Sequence, residues 1–248
     1  MKTILITGAT SGFGMATAKL LAKDGHKLIL LGRRQKRLDE LKTSLQTDVL
    51  TAKIDITDKK QVADCFVSLP AAFSDIDVLI NSAGLALGMD PAQEADIEDW
   101  ERMVDTNITG LLRVTRSALD IMKRKGSGLI ITIGSSAANI PYRGGNVYGA
   151  TKAFARHFSR NLRTDLFGTG IKVTNLEPGA AETEFTSIRL NDAKKAKDFY
   201  HGWHPLLPED IAKTIQWVID QPAHVNIENI ELMPLDQTYA GLAINKIV

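Results

Sequence analysis

Tyr148 and Lys152 are the two residues of this chain whose types and spacing most directly suggest acid–base chemistry. They stand four positions apart, and in a helix this spacing places both side chains on one face. A free tyrosine has a pKa of about 10, too high for efficient proton transfer at neutral pH. A nearby ammonium group favours the phenolate, so we expect Lys152 to lower the pKa of Tyr148. The pair predicts a general acid–base site, although a core tyrosine beside a surface lysine has the same spacing.

A glycine-rich segment, residues 7–14, joins the first predicted strand to the first predicted helix. Glycines let the backbone turn sharply and approach a pyrophosphate, whose charge is favoured at a helix N-terminus. The spacing Gly-x-x-x-Gly-x-Gly departs from the commoner dinucleotide fingerprint, but the position at a strand–helix junction supports the same function. The predicted cofactor contacts in this segment are Gly8, Thr10, Ser11, Gly12, Phe13 and Gly14.

Two arginines, Arg33 and Arg34, follow the second predicted strand, where NAD-binding sites usually carry an acidic residue. That acidic residue binds the ribose 2′-hydroxyl, whereas guanidinium groups suit a 2′-phosphate. The sequence therefore predicts NADP(H) rather than NAD(H). The alternative is that the two arginines only begin a basic helix.

The third and fourth predicted strands also end in candidate cofactor contacts. Asp55 and Ile56 could receive the adenine amino group, although Asp55 or Thr57 could instead cap the helix that follows. After the fourth strand, small residues allow the chain to approach the cofactor's ribose and pyrophosphate closely. The predicted contacts there are Asn81, Ala83 and Gly84.

Short β-branched runs alternate with longer amphipathic segments along the chain. Most of the runs are continuously apolar, which is typical of strands covered on both faces. The alternation predicts an α/β fold, a Rossmann-type doubly wound parallel sheet of about seven strands in a single domain, residues 1–248. The predicted strands are residues 3–7, 27–31, 49–53, 78–81, 128–133, 172–176 and 230–233. The predicted helices are residues 15–24, 35–45, 59–69, 97–122, 148–167 and 208–220.

Residues 184–208 interrupt this alternation just past the end of the sixth predicted strand. A segment at that place would lie over the crevice beyond the strand ends, so we predict a substrate lid there. The alternative for part of it is a surface helix rich in lysine, at Lys194, Lys195 and Lys197.

Composition excludes several classes of protein. The 30 basic and 29 acidic residues give a formal net charge of +1, which argues against a protein built to bind nucleic acid or an anionic membrane. The single cysteine, Cys65, lies in an apolar stretch and is expected to be a buried thiol. No spacing typical of a metal site occurs, and no apolar run has the length of a signal or membrane segment. We therefore expect a cytoplasmic protein that binds no metal.

Taken together, these motifs resemble the short-chain dehydrogenase/reductase family over essentially the whole chain. The resemblance is carried by residues 7–14, residues 81–84, Asn107, Ser135, Tyr148, Lys152, Pro178 and Gly179. One departure is Ser82, which stands where many relatives have a second asparagine. The resemblance implies hydride transfer between a nicotinamide cofactor and a carbonyl or alcohol, with Tyr148 as the general acid or base.

The resemblance also implies roles for the residues around Tyr148. Ser135, rather than its rival Ser136, would bind the substrate carbonyl, and Asn107 would support a water relay to Lys152. Lys152 would in addition hold the hydroxyls of the nicotinamide ribose. The remaining implied cofactor contacts are Pro178, Gly179 and Thr183.

More local segments resemble the bacterial NADP-dependent 3-hydroxy acid dehydrogenases. They are residues 33–34, 145–154, 161–166, 177–179 and 222–227. That group acts on serine, allo-threonine, 3-hydroxypropionate and malonic semialdehyde, and close relatives reduce sulfoacetaldehyde. Such a substrate carries an anionic group and needs a cation in the pocket, for which Arg143 and Arg189 are the candidates. We favour Arg189, which lies in the lid.

Two other functions are compatible with the same residues. The same chemistry could serve neutral ketones, aldehydes or dicarbonyls, with Phe199 and Trp203 forming an apolar lid. A non-catalytic NADP-binding sensor is a third hypothesis, which the intact Ser135, Tyr148 and Lys152 disfavour. The resemblance also implies a homotetramer, or a homodimer, formed through the helices predicted at residues 97–122 and 148–167.

Overall fold

Seven parallel strands form the centre of the molecule, in the order β3-β2-β1-β4-β5-β6-β7. The computed structural model describes residues 1–239 and residue 244. The strands are β1 (Thr3–Thr7), β2 (Lys27–Gly32), β3 (Val49–Lys53), β4 (Val78–Asn81), β5 (Gly128–Ile133), β6 (Ile171–Pro178) and β7 (Asn229–Leu232). The strand order reverses between β1 and β4, and in open α/β sheets ligands bind at such a reversal, beyond the carboxyl ends of the strands.

Helices connect the strands and cover both faces of the sheet. They are α1 (Gly12–Lys23), α2 (Gln35–Ser44), α3 (Lys59–Val67), α4 (Ile97–Val104), α5 (Leu111–Lys125), α6 (Asn146–Asp165), α7 (Glu184–Leu190), α8 (Ala193–Phe199) and α9 (Pro208–Ile219). The predicted doubly wound parallel sheet is confirmed, because every strand pair is parallel and each crossover passes through a helix.

The alternation of side chains along the strands builds two apolar layers. In β1, Ile4 and Ile6 pack against α1, α2 and α9, while Leu5 between them packs on the opposite face against α3, α5 and α6. All three side chains are fully buried. Continuous apolar strands are therefore required by a sheet that has a helical layer on each side.

The long helix predicted at residues 97–122 is interrupted, and that prediction is wrong in this detail. A π-helical turn, Asp105–Gly110, separates α4 from α5. Gly110 within it lies against Ile56, where a β-carbon would come within 2.7 Å of the isoleucine side chain. The turn also directs Asn107 inward, and π-turns of this kind are frequent at functional sites.

The lid predicted at residues 184–208 consists of two short helices, α7 and α8, followed by an extended segment. Asn191 joins the helices in a left-handed conformation, with φ of 48°. The helix α7 lies over the cleft, where the lid is predicted, and α8 carries the predicted lysines. The helix α3 is capped by Asp58, whose side chain accepts from the backbone of Lys60 and Gln61. The predicted alternatives for that cap, Asp55 and Thr57, are therefore wrong.

No helix within residues 1–239 is both long and apolar enough to cross a membrane. In the same part of the chain, no cluster of three or more His, Cys, Asp or Glu side chains is placed to hold a metal ion.

Candidate active site

A cleft of about 280 Å³ opens beyond the carboxyl ends of β1, β4, β5 and β6, beneath α7. It brings together residues that the sequence analysis predicted from separate motifs. Those that line it are Gly8, Ser11, Gly12, Phe13, Ala83, Gly84, Ser135, Tyr148, Lys152, Pro178, Gly179, Thr183 and Arg189. The cleft is the candidate active site because both predicted proton-transfer residues face the predicted cofactor loop within it.

Tyr148 lies in the first turn of α6 and is 8% exposed. Its ring contacts Phe185 of the lid at a centroid distance of 5.6 Å. Burial raises the pKa of Tyr148 to about 12, although a hydrogen bond with Ser135 and the charge of Arg189 act in the opposite direction. We expected a pKa lowered by Lys152, and in this structure that direction is wrong because loss of solvent outweighs the favourable contacts.

Lys152 lies one turn further along α6, also buried. Its Nζ donates a 2.7 Å hydrogen bond to the carbonyl of Ile133, at the end of β5. The ammonium lies 5.9 Å from the centroid of the Tyr148 ring. Burial lowers the pKa of Lys152 to about 8. The structure thus places Lys152 beside the phenol and leaves its charge weakly solvated.

Asn107 does not line the cleft but connects its walls. Its Nδ2 donates to the Leu85 carbonyl at 2.8 Å and to Thr151 Oγ1 at 3.0 Å, and its Oδ1 accepts from the Leu85 amide at 2.9 Å. Thr151 in turn donates to the carbonyl of Tyr148 at 2.8 Å. Asn107 therefore ties the loop after β4 to the helix that carries Tyr148 and Lys152.

The predicted cofactor loop is built for a close approach of two chain segments. At Gly8, with φ of 65°, a β-carbon would lie 2.9 Å from Ala83 Cα. At Gly14 a β-carbon would lie 2.5 Å from the Gly8 carbonyl oxygen, so α1 begins tightly against the strand turn. Thr7 Oγ1 accepts from the amides of Ser82 and Ala83 and fixes the second segment. Side chains at these glycines would collide with neighbouring backbone and force the segments apart.

A cluster of arginines lies at the end of β2, outside the cleft. Arg34 donates from Nη2 to Thr10 Oγ1 at 3.0 Å and from Nε to the same oxygen at 3.2 Å. Arg33 is more exposed and lies 3.8 Å from Asp55. Arg37, which sequence reasoning missed, reaches the same place from the first turn of α2. Arg37 follows Arg34 by three residues at the start of a predicted helix. This spacing could have indicated that the two side chains lie close together.

The structure separates the two arginines proposed for a substrate anion. Arg189 lines the cleft, and its guanidinium carbon lies 5.3 Å from the ring centroids of both Tyr142 and Tyr148. It donates to the carbonyls of Gly88 and Gly144, at 3.2 Å each. Arg143 is exposed and does not line the cleft, because the chain turns at Gly144 and presents Tyr142 instead.

A model of the short chain dehydrogenase family matches residues 2–194 of the chain. This chain belongs to the short-chain dehydrogenase family. The match spans the cofactor loop, all four predicted catalytic residues and the first part of the lid, through residue 194, and it confirms the resemblance on which their roles were based.

Named relatives resemble this short-chain dehydrogenase over nearly its whole length. The NADP-dependent 3-hydroxy acid dehydrogenase YdfG of Salmonella typhi is 51% identical over 245 residues, 98% of this chain and 99% of the relative. The serine 3-dehydrogenase of Rhizobium radiobacter is 51% identical over 244 residues, covering 98% and 97%. The solved closed form of a serine dehydrogenase complexed with NADP+ superimposes with a TM-score of 0.94 at 48% identity, covering 98% of this chain and 99% of that one.

Several predicted site residues of this short-chain dehydrogenase lie outside the cleft itself. They are Thr10, Gly14, Arg33, Arg34, Asp55, Ile56, Asn81, Asn107 and Arg143. Asn81 is buried and donates to Thr115 at 3.0 Å, so its side chain holds β4 to α5. The buried Ile56 packs in the apolar layer. Tyr142 and Phe185 are lining residues that sequence reasoning missed, since nothing in their local spacing marks them.

Proposed function

We propose that this chain is an NADP(H)-dependent oxidoreductase that interconverts small 3-hydroxy acids, or analogous hydroxy-sulfonates, and their carbonyl forms. The observation that carries the proposal is Arg189, a cation beside Tyr148 that makes no salt bridge among the described residues. A carboxylate or sulfonate bound there would lie near the phenol hydroxyl. The printed names of the relatives, a 3-hydroxy acid dehydrogenase and a serine dehydrogenase, agree with such a substrate.

The residues present fit NADP(H). Gly8, Gly12 and Gly84 line the cleft without side chains, so a pyrophosphate could approach the backbone closely there. Arg33, Arg34 and Arg37 gather where the 2′-phosphate of the adenosine ribose would lie. Asp55 and Ile56 remain the proposed adenine contacts, and Pro178, Gly179 and Thr183 the proposed contacts at the nicotinamide end. When bound, NADP(H) would supply or accept the hydride.

The protein's part in the reaction is to hold the substrate and to move one proton. Ser135, which lowers the pKa of Tyr148 against the effect of burial, would also bind the substrate oxygen. The Tyr148 hydroxyl would donate its proton to that oxygen in reduction and take it back in oxidation. Lys152 would hold the cofactor ribose and supply positive charge near the phenol, while Asn107 keeps this part of α6 in place.

The apolar part of the lining favours a second candidate, a reductase of neutral carbonyl compounds. Phe185 and Phe199 both line the cleft. Trp203, which was expected beside them, is 5% exposed and packs behind Phe199, to whose carbonyl its Nε1 donates at 2.7 Å. Trp203 therefore supports the lid from behind and does not line the cleft.

A substrate screen with NADPH and NADP+ separates these functions. It should include malonic semialdehyde, sulfoacetaldehyde, serine, 3-hydroxypropionate and a neutral aldehyde of similar size. We expect a higher kcat/KM for the anionic compounds and for the phosphorylated cofactor. Equal kcat/KM for neutral and anionic compounds would favour the second candidate, and no turnover of any compound would favour a binding protein.

We also propose that the protein assembles as a homotetramer or a homodimer through α4, α5 and α6. Partly exposed apolar side chains on the first two helices, Val104 and Leu112, support this assembly, as does the stacked pair Phe154 and Phe158 on α6. Light scattering coupled to gel filtration measures the mass directly. A monomer at micromolar concentration would contradict it.

A further inference from the structure

The lid helix α7 is attached to the rest of the molecule at both ends. At its first residue, both carboxylate oxygens of Glu184 accept from Arg37 Nη1 at 2.8 Å. Arg34 Nη1 adds a longer contact of 3.3 Å to the same carboxylate. Near the other end, Arg189 donates to the carbonyls of Gly88 and Gly144. The helix therefore spans the cleft from the arginine cluster to the catalytic tyrosine.

The attachment at Glu184 is formed by charge in a partly solvated place. The side chains of Glu184, Arg34 and Arg37 are 45%, 40% and 41% exposed. Hydrogen bonding to Arg37 is the main reason that the pKa of Glu184 is lowered, so the carboxylate remains ionised at neutral pH. Thr10 holds Arg34 from the opposite side, which leaves the guanidinium fixed and facing the lid.

If Glu184 moved, the other end of α7, which carries Arg189, would move with it. Glu184 and Arg189 are five residues apart in one helix, about 7.5 Å along its axis. Phe185 is next to Glu184, and the centroid of its ring lies 5.6 Å from the centroid of the Tyr148 ring. A seven-residue helix between two attachments has little freedom to bend, so the position of its first turn sets the position of Arg189.

We propose that Glu184 is a positioning residue: by pairing with Arg37 and Arg34 it fixes α7 and thereby places Arg189 for the anionic group of the substrate. The two arginines lie at the proposed 2′-phosphate position, so the lid and the cofactor phosphate share one set of cations. The inference rests on the proposed function for the identity of substrate and cofactor. The attachment of the lid itself does not depend on them.

Glu184→Gln removes the charge and keeps the size of the side chain. At saturating NADPH we expect KM for an anionic substrate to rise about two- to fivefold, as the loss of a partly exposed ion pair implies. We expect kcat to stay unchanged, and KM for a neutral aldehyde to stay unchanged as well. Glu182→Gln is the matched control, because Glu182 is an exposed carboxylate two residues before α7 and forms no salt bridge among the described residues.

A double-mutant cycle tests whether the effect passes through Arg37. Arg37→Gln should raise KM for the anionic substrate by a similar factor, and the double variant should be no worse than either single one. The proposal would be overturned if the increases in KM of the two single variants multiplied in the double variant. An equal rise in KM for neutral and anionic substrates would overturn it as well. The dissociation constant of NADPH is measured for each variant so that saturation is assured.

Trypsin cleavage supplies a readout that needs no turnover. The lysines of α8, at positions 194, 195 and 197, directly follow α7 and become more accessible when the lid is released. We expect faster cleavage there in Glu184→Gln than in Glu182→Gln or the parent protein. Equal cleavage rates would overturn the proposal. Faster cleavage in a protein without activity on acids would support the attachment and contradict the proposed substrate.

Discussion

The guanidinium carbon of Arg189 lies 5.3 Å from the centroid of the Tyr148 ring, and it lies equally far from the ring of Tyr142. A cation placed over aromatic faces is attracted by the negative potential of the rings. The same charge lowers the pKa of Tyr148, against the larger effect of burial. One side chain thus faces the cleft and also acts on the proposed proton-transfer group.

Removal of Arg189 should separate anionic from neutral substrates. In Arg189→Ala we expect kcat/KM for an anionic substrate to fall about ten- to hundredfold, because a charge-assisted contact is lost. The value for a neutral aldehyde should change much less. Arg143→Ala is the control, since Arg143 is exposed and outside the cleft. Equal losses for both substrates would show that Arg189 does not bind the anion.

Tyr148→Phe should preserve the fold and remove most of the activity. The ring packs against Phe185 and needs no hydroxyl for that contact, whereas proton transfer does. We expect turnover to fall about 10²- to 10⁴-fold. Thermal unfolding and the dissociation constant of NADPH should remain near those of the parent. A variant with near-normal turnover would refute the assignment.

The pH dependence of oxidation should reflect the raised pKa of Tyr148, which is about 12. Oxidation needs the phenolate, so kcat/KM should still rise with pH at about pH 10. Ser135 lowers this pKa, so in Ser135→Ala the rise of kcat/KM should move to higher pH. Ser135→Ala also loses a proposed contact with the substrate. The variant and the parent protein are therefore compared by the pH at which kcat/KM rises, and not by its absolute value. If kcat/KM of Ser135→Ala rises at the same pH as in the parent protein, or at a lower pH, this role of Ser135 is contradicted.

Lys152 should reduce stability at neutral pH. Its pKa is lowered by burial to about 8, while an unfolded lysine titrates near its ordinary value. The unfolded chain therefore binds more protons between these values, and stability rises as pH increases through that window. Lys152→Met should raise the free energy of unfolding at pH 7 by about 1–3 kcal/mol while abolishing activity. Denaturant unfolding at pH 7 measures it, and a less stable variant would contradict the argument.

Arg34 should govern the preference between the two cofactors. Arg34→Ala should raise the dissociation constant of NADPH about ten- to hundredfold and leave that of NADH nearly unchanged, because only NADPH carries the 2′-phosphate. Lys36→Ala is the control, since Lys36 is a 90% exposed cation two residues away. An equal loss for both cofactors would place Arg34 elsewhere in the site.

Local sequence patterns were sufficient to predict the parallel sheet and the motif that contains Tyr148 and Lys152. Five of the predicted strand starts agree with the structure, at Thr3, Lys27, Val49, Val78 and Gly128. Periodicity alone missed the π-turn around Asn107, because the interruption depends on contacts with Leu85 and Thr151 from other segments. A helical repeat in sequence carries no record of such contacts.

The sequence by itself determined the fold and the family, because hydrophobic periodicity and motifs distributed along the chain carry them, and it determined the spacing of Tyr148 and Lys152. Only the tertiary structure decided the direction of the Tyr148 pKa, the position of Arg189 in the cleft with Arg143 outside it, and the pairing of Glu184 with Arg37, 147 positions away. Burial and charge pairing depend on distances between segments remote in the chain, and those distances exist only once the sheet has brought the strand ends together.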